Sequence, residues 1–143
     1  MKIYLAARFS AQQEMLGVRD VLTAFGHEIT SSWIDTDVSG EIGVDGLTPD
    51  VMNADPERCA PYALHDMADL LAADTVIVFT QYGPSTTGGR HVELGMALAA
   101  GKRVIVVGAR ENIFQTLPQV EWYPDWKRFV LAFSPAFLAG VSA

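Results

Sequence analysis

Four stretches of the chain read as strands: Lys2–Ala6, His27–Trp33, Thr75–Phe79 and Lys102–Val107. Thr75-Val76-Ile77-Val78-Phe79 and Val104-Ile105-Val106-Val107 are β-branched and do not alternate between polar and apolar positions. Strands buried on both faces have that composition, and such strands belong to parallel sheets. Met15, Val18, Leu22 and Phe25 recur at spacings of three and four, which predicts an amphipathic helix from Ala11 to Phe25, ended by Gly26. Strand, helix and strand joined by short loops predict a right-handed crossover and a parallel pair. A second helix is predicted over Pro61–Ala73, with Leu64, Met67, Ala68 and Leu71 towards the core and Tyr62, Asp66 and Asp69 on the opposite face. A short third helix between the last two strands carries Glu93 in its predicted first turn.

Elsewhere the pattern weakens. Residues 34–60 are rich in Asp, Gly, Pro and Thr, and a stretch of that length after a strand predicts a lid loop over the sheet edge, with a disordered segment as the alternative. Gly108–Tyr123 reads as irregular, with Pro118 and Pro124 as breakers. Asp125 is placed to cap a last helix, Trp126–Phe133. The tail over 122–143 is aromatic through Trp122, Tyr123, Trp126, Phe129 and Phe133, so it packs on the core or forms a subunit interface. No internal repeat marks a second domain, and 143 residues suit one domain.

Composition narrows the function. A net charge of −7 argues against non-specific binding to a nucleic-acid polymer, which needs a basic face. No apolar stretch approaches the roughly 18 residues of a membrane span, and Met1-Lys2-Ile3-Tyr4-Leu5 enters a strand without a signal-peptide pattern. Cys59 is the only cysteine, which suits the cytoplasm. The histidines are too widely spaced for a metal-ligand set, and no metal or cofactor is expected.

The candidate chemistry gathers at one edge. In a parallel sheet, ligands bind off the carboxyl ends of the strands. The turn from Tyr4 to Ser10, the start of the second helix with Asp66, and the loop from Ser85 to Glu93 all lead there. That edge collects two carboxyls, a tyrosine, Arg8, Arg90 and several hydroxyls. Alone, Glu93 needs no more explanation than a helix dipole, and Gly88-Gly89 no more than a flexible helix entry. The segment has neither a P-loop lysine nor a GxGxxG. Together, one carboxylate can attack an anomeric carbon while another manages a proton, the division of labour that breaks glycosidic bonds.

The chain resembles the nucleoside 2-deoxyribosyltransferase family, including its branch of 2'-deoxynucleoside 5'-monophosphate N-glycosidases. The resemblance covers Met1 to about Gly108. It rests on Lys2-Ile3-Tyr4-Leu5-Ala6, on Asp66-Met67-Ala68-Asp69-Leu70-Leu71-Ala72-Ala73-Asp74, and on Gly88-Gly89-Arg90-His91-Val92-Glu93-Leu94-Gly95-Met96-Ala97. It implies a flavodoxin-like (Rossmann-like) α/β fold, a parallel sheet flanked by helices, in a homo-oligomer whose subunits complete one another's sites. It further implies that Glu93 is a nucleophile forming a covalent deoxyribosyl-enzyme, that Asp66 serves proton transfer and substrate positioning, and that Tyr4 lies beside the sugar. Thr87 falls where the hydrolase branch has a phosphate-contacting serine.

One departure shapes the expected substrate. Deoxyribosyltransferases commonly carry an aspartate before the nucleophile to recognise the base, whereas Gln81–His91 contains no acid. Ser85, Thr86, Thr87, Arg90 and the backbone at Gly89 are donors suited to a phosphate dianion, and Arg8 reaches the same edge. Phe9 and Trp33 are candidates to stack on a base, with Ser10 beside them; core packing explains each aromatic equally well. Two rivals remain: a nucleotide-binding module without catalysis, and an NAD-cleaving glycohydrolase.

Overall fold

The computed structural model describes residues 1–36, 48–82, 88–138 and 140. Five strands, β1 (Lys2–Ala6), β2 (Glu28–Ile29), β3 (Thr75–Phe79), β4 (Arg103–Val107) and β5 (Val120–Tyr123), form one sheet in the order β2-β1-β3-β4-β5. Every pairing is parallel, which is the flavodoxin-like doubly wound arrangement. The helices are α1 (Gln12–Ala24), α2 (Pro49–Ala54), α3 (Pro56–Ala72), α4 (Gly89–Ala99), α5 (Trp126–Phe133) and α6 (Pro135–Leu138).

Alternation along the strands sends side chains to two cores. Ile3, Leu5, Ile77, Phe79, Ile105 and Val107 face α1 and α5, where Met15, Val18, Leu22, Phe129 and Phe133 meet them. Tyr4, Ala6, Val76, Val78, Val104 and Val106 face α3 and α4, meeting Leu70, Ala73, Leu94 and Ala97. The registers Ala6↔Val78 and Phe79↔Val107 bring the carboxyl ends of β1, β3 and β4 to one level. A tyrosine therefore points into the second core immediately below that edge.

The structure corrects five expectations. The second strand shrinks to Glu28–Ile29, because side chains take over the pairing beyond it. Ser31 Oγ accepts the Leu5 N–H at 2.5 Å, and the Trp33 indole donates to the Leu5 carbonyl at 2.8 Å. The helix expected from Pro61 starts at Pro56, where Asp55 accepts from the Arg58 N–H at 3.2 Å and Pro56 occupies the first turn. Pro49–Ala54, inside the stretch read as a lid, is also helical, while 37–47 lies outside the described residues. The segment read as irregular before Pro124 contains β5, which pairs with β4 from Val104 to Val107.

The fifth correction concerns α3, whose orientation is the reverse of the one predicted. Leu64, Met67 and Leu71 are 59, 39 and 51% exposed, whereas Leu70 is buried and Tyr62, Asp66 and Asp69 are half-buried. The acidic face looks inward and the apolar stripe looks outward. In the tail, packing is the explanation for the aromatics of α5: Phe129 stacks on Phe133 at 4.7 Å and on Trp126 at 5.2 Å, and Tyr123 meets its edge at 5.3 Å.

Gly108 closes the edge beneath the site. Its φ is +119°, and a Cβ there would lie 2.4 Å from the Gln81 nitrogen and 2.5 Å from Thr80 Oγ1. Thr80 in turn binds the Ala109 carbonyl at 2.6 Å, lacing β3 to β4. Gly108→Ala is expected to lose stability beyond the roughly 1–3 kcal/mol of the backbone conformation alone, since backbone must also move. A urea midpoint within experimental error of wild type would contradict this account.

Candidate active site

β1 places Tyr4 at the sheet edge, α3 brings Asp66 over it, and α4 brings Glu93. Gly88 opens α4 in the left-handed region at φ +80°, and the helix begins at Gly89. Glu93 therefore stands in the second turn, and the first turn holds no acid. The dipole explanation weakens accordingly, because that effect fades within the first turn.

Glu93 is half-buried as a residue, and its Oε2 is fully buried. Burial pushes its pKa up to about 8 from 4.5; the Tyr4 hydroxyl draws it down and the Asp66 charge raises it further. Tyr4 is itself driven far above the ordinary phenol value, first by burial and then by the charges of Glu93 and Asp66. Among the described residues, neither Tyr4 Oη nor Glu93 Oε2 has a partner in good hydrogen-bond geometry, although the two groups act on each other. Asp66 is less enclosed; burial raises it to about 6, Asp69 adds to the rise, and His65 opposes it. Tyr4, Asp66 and Glu93, proposed from separate parts of the sequence, thus meet in one electrostatic cluster.

The other predicted residues divide. Phe9 and Trp33 form a pair with ring centroids 6.0 Å apart, and Trp33 packs against the core cluster that contains Tyr4. Ser10 is exposed in the 3-10 turn Phe9–Ala11. Arg8 is half-buried, and its charge is felt by Arg90, so the two guanidinium groups are near each other. Arg90 is only 2% exposed: it donates to the Phe79 carbonyl at 3.0 Å and to Glu111 at 2.5 Å. Gly89 is exposed at the helix start. Ser85 and Thr87 lie outside the described residues.

Sequence reasoning missed two contributors. Glu111, beyond the stretch of family resemblance, anchors Arg90. Asp69, read as a solvated helix position, accepts from both the backbone N–H and the hydroxyl of Ser32, at 2.8 and 2.5 Å. Its placement one helical turn after Asp66 was the available signal. A separate open groove of about 680 Å³ lies on the outer flank of α4, among Val92, Leu98, Phe114 and Leu117. Tyr4, Asp66 and Glu93 do not line it. Among the described residues no group of His, Cys, Asp and Glu is arranged to hold a metal ion, and no helix is long and apolar enough to cross a membrane.

The sequence matches no protein-family profile and no curated protein. Among solved structures, a CMP N-glycosidase of Clostridium botulinum, BcmB, is similar with a TM-score of 0.55 and 21% identity, over 91% of this chain and 95% of that one. A 2-deoxyribosyltransferase of Bacillus psychrosaccharolyticus is similar with a TM-score of 0.67 and 22% identity, over 96% of each chain. At these identities the likeness is one of fold. It spans almost the whole of each chain, well past Gly108.

The buried carboxyl has a thermodynamic consequence. Between pH 4.5, its ordinary value, and about 8, folded Glu93 keeps a proton that the unfolded chain releases. Stability contributed by this group therefore falls as pH rises through that window. Glu93→Gln is expected to be more stable than wild type at pH 8, by at least about 1 kcal/mol, with the gap closing towards pH 4.5. Urea midpoints at the two pH values test this; a wild type equal to or more stable than the variant at pH 8 would contradict it.

Proposed function

We propose that this protein cleaves the N-glycosidic bond of a 2'-deoxynucleoside or its 5'-monophosphate, by way of a glutamyl-deoxyribosyl intermediate. The observation that supports this most is the enclosed Glu93 carboxyl beside Tyr4, with Asp66 opposite, at the carboxyl edge of the parallel sheet. The same fold serves a CMP N-glycosidase and a 2-deoxyribosyltransferase elsewhere.

In this reading the Glu93 carboxylate attacks C1', the C1'–N bond breaks, and its electron pair leaves with the base, which takes a proton from Asp66. A second base, or water, then attacks C1' and releases Glu93 as carboxylate; the proton of the attacking group passes to Asp66. The empty site begins with the opposite distribution, since Glu93 binds its proton more tightly than Asp66, so the proton of Glu93 passes to Asp66 once substrate is bound and before the attack. Positive charge growing at C1' favours the Glu93 anion, and the Tyr4 hydroxyl can donate to it. Both effects are strongest in the transition state, where they accelerate rather than merely bind.

For a monophosphate, Arg8 is the better placed arginine. Arg90 holds the end of β3 and Glu111, whereas the Arg8 side chain makes no hydrogen bond to a described residue. The decisive experiment is a panel of deoxynucleosides, their 5'-monophosphates, CMP and NAD, with and without an acceptor base, products identified by mass. Glu93→Gln should lose at least about a hundredfold in turnover. Arg8→Ala should lose about tenfold or more in kcat/KM on the monophosphate and little on the nucleoside, the size of one charge-assisted hydrogen bond. Turnover by Glu93→Gln above about a tenth of wild type would remove Glu93 as nucleophile. Equal losses on both substrates in Arg8→Ala would remove the phosphate reading.

We also propose that the chain works as a homo-oligomer, with association through α3 rather than the aromatic tail. Leu64, Met67 and Leu71 form an exposed stripe along α3, and Val92 on α4 is 63% exposed. A two-fold axis would bury the same stripe on both copies. Light scattering at micromolar concentration should give a multiple of 15.5 kDa, and Leu64→Glu should lower it. A wild-type monomer would refute the proposal.

A further inference from the structure

We propose that Asp69 is a positioning residue: its carboxylate locks the turn bearing Trp33 onto the helix bearing Asp66, holding the Phe9–Trp33 ring pair and the proton-handling carboxyl in one fixed relation. For its catalytic consequence this rests on the proposed function; the geometry stands apart from it. The Ser32–Asp35 turn follows a strand of two residues and has little backbone pairing of its own. It is tied instead from three elements. From α3, Asp69 Oδ2 accepts from Ser32 N and Ser32 Oγ at 2.8 and 2.5 Å, and the Asp69 carbonyl accepts from Thr30 Oγ1 at 2.8 Å. From β1, the Leu5 carbonyl accepts the Trp33 indole N–H at 2.8 Å. From the start of α1, the Gln12 side-chain amide donates to the Trp33 and Thr36 carbonyls at 3.2 and 2.7 Å.

Of these ties, only that from α3 comes from the element that also carries a candidate catalytic acid. Asp69 lies one turn from Asp66, so any shift of the Trp33 turn is transmitted to the helix that presents Asp66, and the reverse. A full carboxylate is a strong acceptor for a backbone N–H and a hydroxyl at once, and it is a costly choice beside another acid unless the negative charge is useful. Here the charge does reach Asp66: it adds to the burial that holds Asp66 up, and it also bears on Tyr4. The groups facing Asp66 are then Asp69 and His65 on its own helix, with Tyr4 on β1 and Glu93 on α4. Asp69 supports the protonated form of Asp66, which is the form that donates to a leaving base.

Two variants separate the clamp from the charge. Asp69→Asn keeps an acceptor for the Ser32 N–H and removes the charge; Ser32→Ala removes the hydroxyl partner and keeps the charge. The intact protein, labelled with ¹³C-aspartate and ¹⁵N-tryptophan, reports both by NMR without any substrate. In Asp69→Asn the Asp66 carboxyl should titrate below its wild-type midpoint of about 6, and the alkaline limb of kcat/KM should move down with it. In Ser32→Ala the Asp66 titration should stay, while the Trp33 indole N–H exchanges at least about tenfold faster and kcat/KM falls, mostly through KM. Unchanged Asp66 titration in Asp69→Asn, or unchanged Trp33 exchange in Ser32→Ala, in folded protein, would overturn the proposal. If wild type cleaves nothing in the panel, the proposed function has failed, and the two NMR readouts alone decide the role of Asp69.

Discussion

A carboxyl group enclosed beside a phenol is the constraint around which this molecule is arranged. Removing an ionisable group from water is costly, and the cost is met by keeping it neutral or by giving its charge a partner. The groups that act on Glu93 are Tyr4, by hydrogen bonding, and a second acid, Asp66. The fold holds it there through parts that have no chemistry of their own. The flush ends of β1, β3 and β4 set the level of the site. Gly88 lets α4 start abruptly, and Arg90 ties the first turn of that helix to the end of β3. Glu111 then supplies the anion that makes a buried guanidinium tolerable.

Electrostatics at this edge is accordingly segregated. The cations Arg8 and Arg90 influence each other, and Arg90 has Glu111 as its partner, on the side of the α4 start. The acids Asp66 and Asp69 of α3 and Glu93 of α4 all act on Tyr4. Within the proposed function, the pair of guanidinium groups near the acids is what favours a substrate with an anionic group besides its reacting centre.

The sequence revealed the sheet better than the site's supports. β3 and β4 were legible because a strand buried on both faces has to be β-branched and apolar throughout. β2 was overestimated since Ser31 and Trp33 make strand-like bonds to Leu5 through side chains, which composition does not distinguish from a strand. β5 was missed: Val120-Glu121-Trp122-Tyr123 is an edge strand, and Pro118 and Pro124 mask so short an element. The helix start at Pro56 was signalled by Asp55-Pro56, but the interior Pro61 looked like the more natural first residue. Tyr4, Asp66 and Glu93 could be placed at one edge from the sequence because each stands in or next to a recognisable element. Asp69 and Glu111 were not, because their meaning depends on Ser32 and Arg90, distant in the chain and brought close only by folding.

The reversal of α3 joins these threads. Local amphipathicity would bury Leu64, Met67 and Leu71, yet the helix turns Asp66 and Asp69 inward. Burying the larger apolar side chains against the sheet would gain roughly 1.5–3 kcal/mol each. Forgoing that gain is understandable only if something else is obtained: the Ser32 clamp and the acid beside Glu93 on the inner face, and an outer face available to a second copy of the chain. The free energy missing from the isolated fold would then be recovered on association. Under the proposed association through α3, stability and site assembly would be linked through one helix, since a second copy seated on the outer stripe of α3 would bear on the same helix that carries Asp66 and Asp69.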